Sequence, residues 1–145
     1  MVQQYKAYVT ADSFIDGENK PKLLLRVYEK LLLGLDTAKV AIERKDFEKK
    51  HTSLSNVRIL IGALDSSLDM SYGEIPQNLS ALYKYLLKRV ADVNQNLDVT
   101  ILDECKKLVR ILFEGFSEAY ELEKGIEKRK EGSISAPTTN QVRTV

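Results

Sequence analysis

Histidine and cysteine are almost absent from this sequence of 145 residues, which contains one of each, His51 and Cys105. A Ser-His-Asp triad would have to use His51, and a di-iron centre in a helical bundle requires two histidines, which the chain cannot supply. No cysteine–histidine cluster has the spacing of zinc ligands. We therefore expect no enzymatic activity, no metal and no cofactor. His51 is interpreted as a solvated side chain and Cys105 as a small apolar core residue.

Glycine and proline are scarce, at seven and three residues, and the sequence contains no glycine-rich phosphate loop. The isolated glycines Gly34, Gly62 and Gly115 are interpreted as positions of close helix packing. No apolar run approaches the roughly 18 residues of a membrane span, and the N-terminus lacks a signal-peptide pattern. Basic residues outnumber acidic ones by only 22 to 21, which does not supply the basic face of a nucleic-acid-binding protein. Together with the single cysteine, these absences predict a cytoplasmic protein without nucleic-acid partners or membrane insertion.

Four segments repeat apolar residues every three or four positions, which is the period of a helix with one buried face. They extend from about Pro21 to Lys45, Asp46 to Leu68, Pro76 to Asn96 and Asp98 to Lys130. No alternating run typical of a β-strand occurs. Four amphipathic helices with short connections bury their apolar faces against one another, so we predict an all-α, antiparallel up-down four-helix bundle.

The predicted bundle covers residues 21–130. Asp46 is predicted to cap the second helix, and either Asp98 or Thr100 the fourth. Residues 1–20 are predicted to form an N-terminal arm or short helix that is too short to be stable alone. Residues 131–145 lack periodicity and are rich in serine and threonine, so a disordered tail is predicted there.

The first helix has more apolar residues than one core-facing stripe requires. With Leu31 at the centre of the inward face, a rotation of 100° per residue places several leucines and a valine well outside the stripe. The off-stripe residues of the first two helices are Leu25, Leu32, Leu33, Val40 and Ile59. Such an exposed apolar strip is unusual unless something binds there, and a partner helix or a second copy of the chain could cover it. A second apolar band on the fourth helix (Leu102, Val109, Phe113 and Tyr120) is interpreted as broadening the core.

The run LDMSYGEIPQNLSALYKYLLKRV at residues 68–90 resembles the central motif of the flagellin-specific export chaperones, the FliS-type flagellar secretion chaperones. Supporting matches are YKAY at residues 5–8, Tyr28 together with AIERKD at residues 41–46, and NLDVTILDE at residues 96–104. The resemblance covers about residues 5–120. It implies a helical cytoplasmic chaperone that binds the disordered C-terminal segment of flagellin, prevents premature polymerisation and presents flagellin to the export apparatus without consuming nucleotide.

The family motif adds Tyr5, Tyr8 and Tyr72 to the candidate partner-binding residues. Tyr5 and Tyr8 would cover a groove until the client displaces them, although local packing of these three tyrosines is an equally good interpretation. Together with the off-stripe residues, these tyrosines lead to the hypothesis that the client binds in hydrophobic grooves between helices. The alternative is a self-associating helical scaffold or adaptor with no separate client, in which a homodimer covers the apolar strip.

Overall fold

A computed structural model describes residues 20–135, which form four long α-helices and one short 3₁₀ helix. The helices are α1 (Lys20–Glu43), α2 (Phe47–Ser66), the 3₁₀ helix (Met70–Tyr72), α3 (Glu74–Asn96) and α4 (Val99–Ser135). Successive helices pack side by side, and α4 also packs against α1, so the four close into a ring around one core. No strand occurs among the described residues. The predicted all-α four-helix bundle is confirmed.

Local side-chain chemistry explains where α2 and α4 begin. The Asp46 carboxylate accepts a hydrogen bond from the Lys49 backbone N–H at 3.1 Å, which confirms the predicted cap of α2. At the start of α4, Asp98 Oδ1 accepts the Thr100 N–H at 2.9 Å and the Thr100 hydroxyl at 2.6 Å. Asp98 is therefore the capping side chain, and Thr100 lies inside the helix.

The start of α3 and the end of α4 differ from the sequence prediction. Helix α3 begins at Glu74, so that Pro76 lies buried in its first turn, where a proline costs no backbone hydrogen bond. It is preceded by Gly73, whose φ of 85° favours glycine. Helix α4 ends at Ser135, beyond the predicted bundle limit at residue 130. The rest of the predicted tail and residues 1–19 of the predicted arm lie outside the described residues.

The core contains the predicted apolar stripes together with two tyrosines that periodicity alone did not assign to it. The hydroxyls of Tyr28 on α1 and Tyr83 on α3 are buried and hydrogen-bonded to each other. The Tyr28 ring stacks on Phe116 of α4 with ring centroids 5.4 Å apart. These contacts connect three helices at the centre of the bundle.

The predicted roles of Cys105 and of the second apolar band are largely confirmed. Cys105 is buried in the core, and this burial raises the pKa of its thiol to about 11. Leu102 and Val109 are also buried, so the second band broadens the core. Ile126 lies seven residues after the buried Ala119, on the inward side of the helix by periodicity, but it is 40% exposed. His51 is exposed, as expected.

Ion pairs connect α4 to both of its neighbours. Between α1 and α4, Lys39 pairs with Asp103 at 2.9 Å and Asp36 pairs with Lys106 at 2.5 Å. Between α3 and α4, Glu104 accepts a hydrogen bond from Arg89 at 2.9 Å and another from the Tyr85 hydroxyl at 3.0 Å. The two sides of α4 that face other helices are therefore bridged by polar contacts.

Within the described range, no helix has an apolar stretch long enough to cross a membrane. The same residues contain no group of three or more histidine, cysteine, aspartate or glutamate side chains placed to hold a metal ion.

Candidate partner-binding groove

An open groove runs along the outside of the bundle between α1 and α2. Its volume is about 380 Å³. Helix α1 contributes Lys30, Leu33, Gly34 and Thr37 to the lining, and α2 contributes Ser53, Asn56, Ile59 and Leu60. We call this the α1–α2 groove. Leu33 and Ile59 are 66% and 68% exposed, so large apolar side chains from both helices stand at its edges.

Gly34 allows the two helices to approach closely beneath the groove. A Cβ atom at this position would lie 2.8 Å from Val57 Cγ2, which is shorter than real side chains tolerate. Close packing was the role predicted for the isolated glycines, and it is confirmed for Gly34. It is wrong for Gly62, because a Cβ there would have no atom within 4 Å.

Two of the polar groups that line the groove, the Thr37 and Ser53 hydroxyls, form hydrogen bonds inside their own helices. The Thr37 hydroxyl donates to the Leu33 carbonyl at 2.8 Å, and the Ser53 hydroxyl donates to the Lys49 carbonyl at 2.6 Å. An apolar ligand would therefore leave neither hydroxyl without a partner, which removes most of the cost of covering them. The surface between the two helices is chemically suited to apolar side chains.

A second depression of about 270 Å³ continues from the groove toward the connection between α1 and α2. It shares Thr37 with the groove and is lined in addition by Asp36, Val40, Arg44, Asp46 and Lys49. Val40 is 42% exposed. The fold thus brings three of the predicted partner-binding residues, Leu33, Val40 and Ile59, to one continuous face.

The prediction of exposure is wrong for Leu25 and Leu32, which are half-buried and packed against the core. At 100° per residue these two leucines lie on the same side of α1 as Asp36 and Lys39. That side faces α4, because both charged residues form ion pairs with it. The neighbouring helix therefore covers the part of the apolar strip that Leu25 and Leu32 provide.

The tyrosines taken from the family motif are not part of the α1–α2 groove as described. Tyr72 is 45% exposed and lies in the 3₁₀ helix between α2 and α3. Tyr5 and Tyr8 lie outside the described residues.

Periodicity missed the residues that complete the groove between its apolar edges. Thr37, Asn56 and Leu60 line it because α1 and α2 pack side by side, and neither helix alone identifies them. Gly34 had a local signal, since an isolated glycine inside a helical pattern often has a packing reason.

Comparison with known proteins adds a family match. Residues 1–123 match the model of the family described as flagellar protein FliS. The chain is 28% identical over 118 residues to the flagellar secretion chaperone FliS of Escherichia coli (strain K12), covering 80% of this chain and 87% of that one. It is 28% identical over 109 residues to the flagellar secretion chaperone FliSB of Pseudomonas aeruginosa, with 74% and 86% covered. It is 27% identical over 120 residues to FliS of Bacillus subtilis (strain 168), with 83% and 88% covered.

Proposed function

Because this chain belongs to the family of the flagellar protein FliS, we propose that it is a flagellar secretion chaperone whose client is the C-terminal segment of flagellin. It holds that segment in the cytoplasm, prevents flagellin from polymerising before export, and presents it to the export apparatus. The family is one of chaperones, and the chain is not an enzyme.

The observation that supports a binding site is the pair of exposed apolar side chains on either side of the α1–α2 groove. Leu33 and Ile59 are each about two-thirds exposed, although large apolar residues at such positions are a solubility liability. An amphipathic helix placed between them would bury both side chains and also cover Leu60. We assign the α1–α2 groove and the adjoining surface around Val40 as the client site.

Binding of this kind explains both capture and release without nucleotide hydrolysis. A flexible client segment gains contact area by lying along the groove, but it loses conformational freedom when it becomes ordered. That ordering costs about 2–5 kcal/mol or more, which offsets part of the contact energy. The complex can therefore be specific and still dissociate when the export apparatus takes the client.

The three tyrosines of the family motif have two different roles in this proposal. Tyr5 and Tyr8 cover a groove in the client-free chain and are displaced when the client binds. Tyr72, exposed at the opposite end of α2 from Asp46, offers an aromatic contact to a client that extends past the α1–α2 groove.

The decisive experiment is a calorimetric titration of the full chain with flagellin, and with flagellin that lacks its C-terminal segment. We expect saturable binding of the intact protein and none of the truncated one. Light scattering on the client-free chain tests the alternative function. A tight dimer that does not bind flagellin would support a self-associating scaffold and contradict the proposed chaperone role.

A further inference from the structure

The charged residues around the α1–α2 groove are arranged differently from those around α4. Cations and carboxylates bridge α4 to α1 and to α3 in ion pairs. Along the α1–α2 groove and its continuation, the cations are Lys30, Arg44 and Lys49. Among the described residues, none of these three side chains has a carboxylate partner within ion-pair distance.

The two carboxylates that line the same surface are already engaged. Asp36 pairs with Lys106 of α4 at 2.5 Å, which directs its charge away from the groove. Asp46 accepts the Lys49 N–H at the N-terminus of α2, where the partial positive charge of the helix end offsets part of its negative charge. The surface that remains available to a ligand is therefore apolar at its centre and positive at both ends.

We propose that the segment bound here is an amphipathic helix with carboxylates at both ends of its apolar stripe. This inference rests on the proposed chaperone function and adds the chemistry by which the groove selects its client. Apolar side chains of the client lie between Leu33 and Ile59 and reach Val40. Its acidic residues lie near Lys30 at one end and near Arg44 and Lys49 at the other.

The spacing of the groove residues fixes the size of the client element. Lys30 and Arg44 are 14 residues apart on and just beyond α1, which corresponds to about 21 Å at 1.5 Å per residue. Leu33 and Val40 are seven residues apart, or about 10 Å, on the exposed side of the same helix. A client helix of roughly four turns, with apolar residues in its two central turns and acidic residues in the outer ones, matches both distances.

The charges provide selectivity in addition to affinity. Apolar contacts alone would accept many amphipathic segments, whereas three cations favour acidic ones and repel segments flanked by lysine or arginine. Because these cations are solvent-exposed, the preference depends on ionic strength.

The test uses the full chain and two 18-residue peptides with blocked termini. Both carry the same apolar residues at helical spacing, and they differ only in having two glutamates or two glutamines at each end. Binding is measured by fluorescence anisotropy in 50 mM and 500 mM NaCl. We expect the glutamate peptide to bind about tenfold more tightly at low salt, and this advantage to fall below about twofold at high salt.

Matched charge variants locate the effect. Lys30→Gln combined with Arg44→Gln should remove most of the advantage of the glutamate peptide. Lys88→Gln combined with Lys107→Gln changes the net charge equally at exposed positions on α3 and α4 and should leave the advantage intact. Equal binding of both peptides by the unmodified chain, or equal effects of both variant pairs, would overturn the proposal. A third result would also overturn it: the chain binds neither peptide and forms a dimer, and only the Lys30→Gln/Arg44→Gln variant weakens that dimer. The occupant of the α1–α2 groove would then be a second copy of the chain.

The flagellin titration separates this inference from the proposed function. If flagellin binds through its C-terminal segment with equal affinity to both variant pairs, the chaperone role stands and the charge selection is wrong. If the glutamate peptide behaves as expected and flagellin does not bind, the groove chemistry stands and the assigned client is wrong.

Discussion

Gly34 of α1 lies so close to Val57 of α2 that a Cβ at residue 34 would be only 2.8 Å from the Val57 Cγ2 methyl. Val57 is completely buried, so it has little room to move away. The absence of a side chain at residue 34 therefore sets how closely the two helices pack beneath the α1–α2 groove. Stability and groove shape depend on the same contact.

Substitution of Gly34 and of Gly62 by alanine should have opposite effects. Gly62→Ala should raise the free energy of unfolding by about 0.5–1 kcal/mol, because alanine favours a helix and the site is open. Gly34→Ala gains the same helix preference but overpacks the contact with Val57, which typically costs about 1–3 kcal/mol. Urea unfolding followed by circular dichroism would compare them. Equal stabilisation by both substitutions would show that α1 and α2 can separate at no cost.

Leu33→Glu should weaken binding of the flagellin C-terminal segment by about tenfold or more. A buried leucine contributes about 1.5–3 kcal/mol, and a glutamate in its place would be desolvated by the client. Ile111→Glu on α4 is the matched control, since Ile111 is 59% exposed and Leu33 is 66% exposed. Calorimetry measures the affinity, and circular dichroism checks that helicity is unchanged. A similar loss in both variants would mean that the α1–α2 groove has no special role.

Glu104 should contribute stability that disappears in acid. Two hydrogen bonds lower the pKa of Glu104 from its ordinary value of 4.5. The bond from Arg89 has the larger effect, and the bond from the Tyr85 hydroxyl has the smaller one. A carboxylate with a lowered folded-state pKa stabilises the fold above its unfolded-state pKa, and this contribution is lost as the pH falls through the folded-state value. The stability difference between the unmodified chain and Glu104→Gln should therefore be present at pH 7 and shrink below about pH 4.5.

Urea unfolding at pH 7, 4.5 and 3 would measure that trend. Glu114→Gln is a suitable control, because Glu114 is exposed and has no hydrogen bond or ion pair with the described residues. Its stability difference should stay small at all three values. A difference for Glu104→Gln that does not change with pH would indicate that the hydrogen bonds with Arg89 and Tyr85 add nothing to the folded state.

Cys105 should be unreactive in the native protein. Its thiol is 1% exposed, and burial raises its pKa to about 11, so only about one thiol in a thousand would be ionised at pH 8 even if it were reachable. Ellman's reagent should detect no thiol in the folded chain and one in urea. In a Ser66→Cys variant, which adds an exposed thiol at the end of α2, one thiol should react before unfolding and two after. Rapid reaction of the unmodified folded chain would contradict the buried position of Cys105.

The sequence pattern predicted most of the fold because helix periodicity is a local property. The spacing of Leu24, Leu31 and Leu35 identifies one face of a helix without reference to any other segment, and all three are buried. The Asp46 cap is equally local, since its side chain bonds to a backbone N–H three residues later. The start of α3 differs from the predicted Pro76 by two residues, because a proline can be the first residue of a helix or lie within its first turn.

The candidate site was only partly predictable, because exposure depends on which helices are neighbours. Leu32 and Leu33 are adjacent in sequence and equally apolar, yet α4 covers the side of α1 that carries Leu32 while Leu33 remains 66% exposed. The meeting of Leu33 with Ile59 could not be obtained from either helix separately. They are 26 residues apart, and only the packing of α1 on α2 brings them to one groove.

By itself, the sequence determined four amphipathic helices, their apolar faces, a chain without the histidines of common catalytic and metal sites, and a motif that identifies the family. Each of these follows from residue types and short-range spacing. Only the tertiary structure decided which of the off-stripe apolar side chains remain exposed. It also decided that Asp36 pairs with Lys106 and that Lys30, Arg44 and Lys49 flank an apolar groove. Those features result from how the helices pack, because a side chain becomes part of a site or part of a core according to the neighbour that lies against it.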